Sequence, residues 1–214
     1  MKKKIILIGG GGHCKSCIDI IEAEGNFQIA GIVDFKEKLH SSIMGYEVLA
    51  CDNELEKLNS RGVHFLIAIG HLKSTAKRIE KFEFLENLKA KFPLIISPDA
   101  CISKHANLGY GTIVMHKASV NAGANIGKNC IINTGSIIEH DVLIGDHCHI
   151  STGVVINGEC RIGKGTFVGS NAVIANNINI AENVVIGAGA VVVHSIDSVG
   201  TYVGVPARKL KNNE

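Results

Sequence analysis

The chain of 214 residues has no tryptophan, three prolines and 5% aromatic residues, and its absences exclude several classes of protein. Lys and Arg number 22 against 20 Asp and Glu, and the two signs are interspersed, so the net charge of +2 gives no reason to expect nucleic acid or an anionic membrane surface as partner. No stretch approaches the roughly 20 consecutive apolar residues that a membrane helix needs. The start Met1-Lys2-Lys3-Lys4, followed by Ile5-Ile6-Leu7-Ile8, imitates the charged end of a secretory signal, but the apolar run stops at four glycines. It reads as a first buried strand, and a soluble cytoplasmic protein with no membrane partner is expected. Cys14-Lys15-Ser16-Cys17 has redox spacing near a helix start. Inside a glycine-rich loop that pair reads as packing, and with no second ligand pair at metal spacing no metal site is expected.

From Ile102 to Val192 an aliphatic residue falls at every sixth position without a gap, roughly sixteen hexapeptides. A helix of period 3.6 cannot hold a period of six on one face, and a plain strand of period two does not need it. Two residues before each aliphatic stands something small, such as Ala118, Ala124, Cys130, Ser136, Cys148, Cys160, Thr166 or Ala172, which fits a second inward position. There Cys130, Cys148 and Cys160 read as compact hydrophobes. Gly109, Gly127, Gly145 and Gly163 recur at intervals of 18 and mark corners or close approaches, so three hexapeptides close one triangular turn. About five such coils make a parallel β-helix, each coil burying its apolar face on the next.

Composition changes near Pro93 to Pro98, from Lys, Glu and helix formers to Asn, Gly, Ile and Val. The expected domains are therefore residues 1–96 and residues 97–214, the second ending in a C-terminal tail. Residues 4–34 read as a βαβ unit: a strand from Lys4 to Ile8, the loop Gly9-Gly10-Gly11-Gly12-His13, a helix from about Lys15 to Glu24, and a strand from Gln28 to Val33 that ends at Asp34. The backbone amides of such a loop and the positive end of the helix hold a phosphate, and an acid at the second strand's end hydrogen-bonds a ribose or sugar hydroxyl. Lys15 stands where a dinucleotide fingerprint has its third glycine, which argues against a nicotinamide cofactor. A further strand from Val63 to Ile69 ends at Gly70 on the same edge, and helices are expected over about Asn53 to Asn59 and Leu72 to Ala90.

Chemistry concentrates in Glu139-His140-Asp141-Val142-Leu143-Ile144-Gly145-Asp146-His147-Cys148-His149. His140 follows Ile138 by two and belongs at a corner with its ring outward, where Asp141 or Glu139 accepts a hydrogen bond from one ring nitrogen and leaves the other as a base. His147 reads as a solvent-facing corner residue, and His149 as facing outward from a strand toward a ligand or a neighbouring chain. His105, His116 and His194 read as surface corner residues.

These segments, together with Ile8-Gly9-Gly10-Gly11-Gly12-His13, Ala68-Ile69-Gly70, Asn133 to Asp141 and Val203-Gly204-Val205-Pro206-Ala207, resemble the hexapeptide-repeat acyltransferases. The resemblance is closer to their sugar acetyltransferases, which include bacillosamine-pathway UDP-4-amino-sugar N-acetyltransferases and sialic acid O-acetyltransferases. It implies a Rossmann-like α/β N-terminal domain followed by an all-β left-handed parallel β-helix. It also implies acetyl-CoA as co-substrate, a nucleotide-sugar acceptor and a homotrimer with active sites between subunits. Carried over by position, His140 is the general base, Asp141 orients it, and His149, Ser170 and Ala188 contact acetyl-CoA. Gly11, Gly12, His13, Asp34 and Gly70 hold the nucleotide-sugar. Three positions depart from relatives: Asp141 where some have Glu, His71-Leu72-Lys73 where many have Asn and a basic residue, and Asp34-Phe35 where some have two acids. The favoured reaction is acetylation of a C4 amine. The rivals are O-acetylation of a sialic acid, a zinc β-helix hydratase whose third histidine is unassigned, and a binding protein with a dead site.

Overall fold

The computed structural model describes residues 2–70 and 74–210, and it divides into two compact units, Met1–Pro98 and Asp99–Glu214. In the first unit the strands are β1 (Lys3–Ile8), β2 (Phe27–Val33), β3 (Ser42–Ile43), β4 (Tyr46–Ala50) and β5 (His64–Ile67), in the sheet order β3-β4-β2-β1-β5. Strands β1, β2, β4 and β5 run parallel, and β3 adds an antiparallel edge. Helices α1 (Gly12–Glu24), α2 (Leu55–Asn59) and α3 (Ala76–Asn87) accompany them. Ile6, Ile8, Val33, Leu55, Phe65, Phe82 and Leu85 form the core, with Phe82 stacked on Phe92 at 4.3 Å. The chain leaves β1 toward β2 on one side and reaches β5 on the other, so the order reverses at β1. The carboxyl end of that strand is where open α/β sheets bind ligands. His71, Leu72 and Lys73, which carry the departure after Gly70 and the expected start of a helix at Leu72, lie outside the described residues.

Two details were not legible in the residues. Helix α1 begins at Gly12, three residues before the expected Lys15, because its first turn is built from the glycine loop itself; it ends at Gly25 in a left-handed cap (φ 73°) whose N–H bonds Ile21 O. The hairpin of β3 and β4 was not anticipated: Ile43 pairs Tyr46 across Met44-Gly45, both with positive φ, as a two-residue turn between right-twisted strands requires.

The second unit is a left-handed parallel β-helix of two-residue strands. One face carries Ser119–Val120, Ile137–Ile138, Val155–Ile156, Val173–Ile174 and Val191–Val192; the next carries Asn125–Ile126, Leu143–Ile144, Arg161–Ile162 and Asn179–Ile180; the third carries Ile113–Val114, Ile131–Ile132, His149–Ile150, Phe167–Val168 and Val185–Ile186. Every pair is parallel and displaced by 18 residues, as with Ile138 on Ile156. From Val114 to Val192 the sixth-position aliphatics are buried, each worth roughly 1.5–3 kcal/mol against exposure, while Ile102 and Leu108 at the start of the β-helix are half-buried. The corners obey a rule of their own: every sixth residue from Gly111 to Gly189, three places after the aliphatic, has a left-handed backbone. Glycine, Asn and Asp occupy most of these positions, as that conformation favours. Gly109, Gly127, Gly145 and Gly163 are instead close approaches; a Cβ on Gly145 would lie 2.7 Å from the Lys164 nitrogen.

The small inward residues do more than fill space. Thr112, Cys130, Cys148 and Thr166 stack at one corner, and their side chains donate to the carbonyls of Gly127, Gly145, Gly163 and Ala181 at 2.9, 3.2, 3.1 and 3.0 Å. Cys130 and Cys148 are thus buried hydrogen-bond donors as well as compact side chains, and burial holds the Cys148 thiol well above its ordinary pKa. Thr166 Oγ1 also accepts from Val184 N at 3.3 Å. Thr166→Val keeps the shape and strands both backbone groups, so urea unfolding should show a loss of about 1–3 kcal/mol.

Candidate active site

At the carboxyl edge of the first sheet, Asp34 directly follows β2 and is nearly buried. Its Oδ2 accepts from Gly10 N at 3.0 Å and from Lys38 Nζ at 2.6 Å, and its Oδ1 accepts from Phe35 N at 2.8 Å. The carboxylate therefore pins the glycine loop to the neighbouring strand. Position 10 must be small, since a Cβ there would lie 2.7 Å from Asp34 Oδ2 and 2.5 Å from Ile43. Gly11 and Gly12 face open space and present the amino end of α1 without a side-chain cap. His13 packs against Gly70, whose added Cβ would sit 3.5 Å from the His13 Cβ. Burial, aided by the nearby Arg78 guanidinium, pushes the His13 pKa down to about 3 and keeps the ring neutral. Arg78 is itself buried and donates to the carbonyls of Ile67 at 2.7 Å and Ile69 at 2.9 Å, which fixes the end of β5. Residue reading alone did not single out Arg78; a lone basic residue in a helix carries no signal of burial. The five positions Gly11, Gly12, His13, Asp34 and Gly70 thus share one edge, with an anion-attracting helix start in the middle. Cys14 and Cys17 lie on the buried face of α1, and desolvation pushes the Cys14 thiol up to about 12, a state poor for redox chemistry.

On the β-helix, His140 and Asp141 form the corner between the face of Ile137–Ile138 and the face of Leu143–Ile144. His140 Nδ1 lies 3.0 Å from Asp141 Oδ2, with the side chains 55% and 63% exposed. A carboxylate only accepts, so Nδ1 carries the proton and donates, and Nε2 holds a lone pair. The hydrogen bond to Asp141 raises the His140 pKa; desolvation opposes the rise, and the charges of Asp141, Glu139 and Glu159 reinforce it. Glu139, the other expected orienter, is held by Asn121 Nδ2 at 2.9 Å.

Of the two neighbouring histidines, one differs from expectation and the other is outward as expected but enclosed. His147 is 1% exposed: it occupies a left-handed corner (φ 62°), which turns its side chain along the coil axis so that Nδ1 meets Asn129 Nδ2 at 2.9 Å. His149 points outward from its strand but is 7% exposed. Its ring meets Phe167 of the following coil edge to face at 5.2 Å, and Nε2 lies 3.4 Å from Asn133 Nδ2. His105 and His194 are exposed as expected, while His116 is half-buried and lies 3.4 Å from Asp99. Ser170 and Ala188 occupy one column, on the corner between the third face and the first, and Ser170 Oγ bonds Ser151 Oγ at 3.0 Å. The candidates of one β-helix therefore fall at three places, His140 with Asp141 at one corner, His149 on the third face, and Ser170 with Ala188 at the corner between the third face and the first. A full face and more than one coil of the helix separate the two corner groups.

A prism of hexapeptide coils with a polarised histidine on its edge, joined in sequence to a glycine-loop α/β unit, is an architecture shared with known acetyltransferases. Residues 4–82 match the PglD N-terminal domain family, and residues 123–158 and 159–194 match the bacterial transferase hexapeptide family. The acetyltransferase domain of PglB from Neisseria gonorrhoeae FA1090 is similar with a TM-score of 0.92 and 32% identity, over 98% of this chain and 100% of that one. PerB from Caulobacter crescentus, solved in complex with CoA and GDP-perosamine, is similar with a TM-score of 0.90 and 30% identity over 97% of each chain. The UDP-N-acetylbacillosamine N-acetyltransferase of Bacillus subtilis (strain 168) is 36% identical over 117 residues, which span 53% of this chain and 51% of that relative. The chain belongs to the hexapeptide-repeat sugar acetyltransferase family. Among the described residues no helix is long and apolar enough to cross a membrane.

Proposed function

We propose that this protein transfers the acetyl group of acetyl-CoA to the C4 amine of a UDP-4-amino-4,6-dideoxy sugar, a step toward a diacetamido sugar of bacterial glycans. The observation that carries the reading is the exposed His140–Asp141 pair, with Nδ1 engaged and Nε2 bearing the lone pair. The relatives named for bacillosamine and perosamine N-acetylation support an amine as acceptor. The amine nitrogen attacks the thioester carbonyl, and His140 Nε2 takes the proton that the new ammonium must lose. The tetrahedral oxyanion then collapses, the C–S bond breaks, and the imidazolium returns its proton to the departing CoA thiolate. A backbone amide on a neighbouring coil stabilises the oxyanion. No covalent enzyme intermediate is needed when both reactants are held together.

Gly11, Gly12 and His13 take the diphosphate at the start of α1, and Asp34 and Gly70 shape the nucleoside side. Asp34 uses three of its acceptor sites to hold the loop, so its contribution is first to pin Gly10 and only then to receive a hydroxyl. His149, Ser170 and Ala188 line the CoA path, with His149 acting as an enclosed wall braced by Asn133 and Phe167. The separation of the two corner groups supports a cyclic trimer, in which the Ser170 and Ala188 corner of one copy faces the His140 corner of the next. His140 and His149 belong to different parts of the prism, a corner and the third face, which disfavours a shared zinc ion within one chain. Among the described residues no group of three or more His, Cys, Asp and Glu side chains is placed to hold a metal ion. The test is acetyl-CoA-dependent thiol release against a panel of UDP-4-amino sugars, UDP-sugars lacking the amine, and sialic acids. Release with the amino sugars alone supports the reading, release with sialic acids alone moves the function to O-acetylation, and silence across the panel overturns both.

A further inference from the structure

Both members of the His140–Asp141 pair lean over a glycine, in opposite directions along the coil axis. Gly158 stands 18 residues after His140, directly below it on the following coil. A Cβ built on Gly158 would lie 2.6 Å from His140 Nε2, 2.7 Å from Cε1 and 3.3 Å from Cδ2. Gly123 stands 18 residues before Asp141, on the preceding coil, and a Cβ there would overlap Asp141 Oδ1 and lie 3.1 Å from its Cγ. Other residues of the same two columns do carry side chains: Ala122 and Asn176 share the column of His140, while Glu159 and Asn177 share that of Asp141. Neither column demands glycine throughout. Glycine falls in each at the place that the catalytic side chain covers.

We propose that Gly158 and Gly123 are positioning residues for the acetyl transfer. On this inference, which rests on His140 acting as the base, the missing Cβ at Gly158 sets the tilt of the imidazole and leaves Nε2 open to the incoming amine. The missing Cβ at Gly123 lets the Asp141 carboxylate lie flat enough to receive Nδ1–H. The atoms that a new Cβ meets at Gly158 belong to an exposed side chain that can rotate away. The cost therefore falls on the orientation of His140 and not on the fold. Gly158 also has a φ outside the left-handed region, so alanine is not strained there, whereas Gly123 has φ +77° and any side chain there is strained as well. That makes Gly158 the cleaner position to test. Alanine keeps the backbone N–H, so any oxyanion contact made by that amide is preserved, and the substitution isolates the added methyl group.

The experiment is a double-mutant cycle of Gly158→Ala and His140→Ala on the purified full-length protein, with kcat and KM for both substrates, thermal unfolding, and NMR titration of the histidine Cε1 protons, with the His140 resonance assigned by its loss in His140→Ala. Gly158→Ala should lower kcat roughly ten- to a hundredfold, leave both KM values within about threefold, unfold at the wild-type temperature and shift the His140 resonance. The double variant should be no slower than His140→Ala alone, because Gly158 acts through the imidazole. Normal turnover in Gly158→Ala, a loss that adds in full to that of His140→Ala, or a loss confined to the KM for acetyl-CoA would each overturn the inference. Normal turnover in His140→Ala would overturn the underlying reading instead, and the two failures are told apart by which single variant stays active. Charges facing the ring come from Asp141, Glu139 and Glu159. Gly123→Ala, by turning Asp141 away, should move the His140 titration to lower pH.

Discussion

His140→Ala is expected to lower kcat by about 10²–10⁴, the range that one positioned general base supplies, while acetyl-CoA still binds within a few-fold of wild type. The expectation follows from geometry. The imidazole is exposed and makes one anchored contact, to Asp141, so its removal leaves no cavity and frees no buried polar group. A thermal unfolding curve close to wild type would show that the loss is chemical. His140→Asn, which keeps a polar group of similar reach and cannot accept a proton near neutral pH, should fall in the same range. A His140→Ala variant that retained more than about a third of wild-type turnover would remove His140 from the mechanism.

Asp141→Asn should act in a different and diagnostic way. The hydrogen bond and charge of Asp141 raise the His140 pKa, with Glu139 and Glu159 adding to it. A base works only when unprotonated, so the wild-type rate must rise with pH through that raised pKa and reach its plateau above it. Removing the carboxylate lowers the His140 pKa, so the limb moves to lower pH. The plateau also falls, roughly ten- to a hundredfold, because a less basic and less well oriented imidazole accepts the proton less readily. The variant's deficit is then greatest at high pH and shrinks toward low pH, where wild-type His140 is already protonated. A limb that stays in place in Asp141→Asn would assign it to the acceptor amine instead of His140. A glutamate at this position, which some relatives carry, should restore the limb.

The sequence revealed the β-helix because each inward aliphatic contributes to a single repeating requirement, burial on the next coil, and Ile, Leu and Val meet it without exception from Ile102 to Val192. The corner rule was hidden because the left-handed position three places later is filled by Gly, Asn, Asp, His, Lys and Glu, which share a backbone conformation and little else. Missing that rule misplaced His147: a left-handed corner sends its side chain along the axis onto Asn129, while a radial direction was assumed. His140, one residue earlier in its own hexapeptide, does project outward. His149 was read correctly as outward from its strand, but its cover comes from Phe167, and only the 18-residue stacking brings that ring against it. In the first unit Asp34 was legible as an acid at a strand end, yet its three hydrogen bonds depend on how the glycine loop folds back over β2. Gly158 gave no signal, since its meaning lies in the ring that rests on it.

The central claim is that the group accepting the acetyl is an amine. Its most direct measurement is the chemical nature of the bond in the product made from acetyl-CoA and a UDP-4-amino sugar by the purified protein. The product is isolated, weighed by mass spectrometry and exposed to alkaline hydroxylamine, which cleaves oxygen esters and spares amides. The account predicts one added acetyl group that survives the treatment, with an amide proton coupled to H4 of the sugar in its NMR spectrum. An acetyl group lost to hydroxylamine, or a sugar left unmodified while a hydroxyl-bearing acceptor is acetylated, would contradict it.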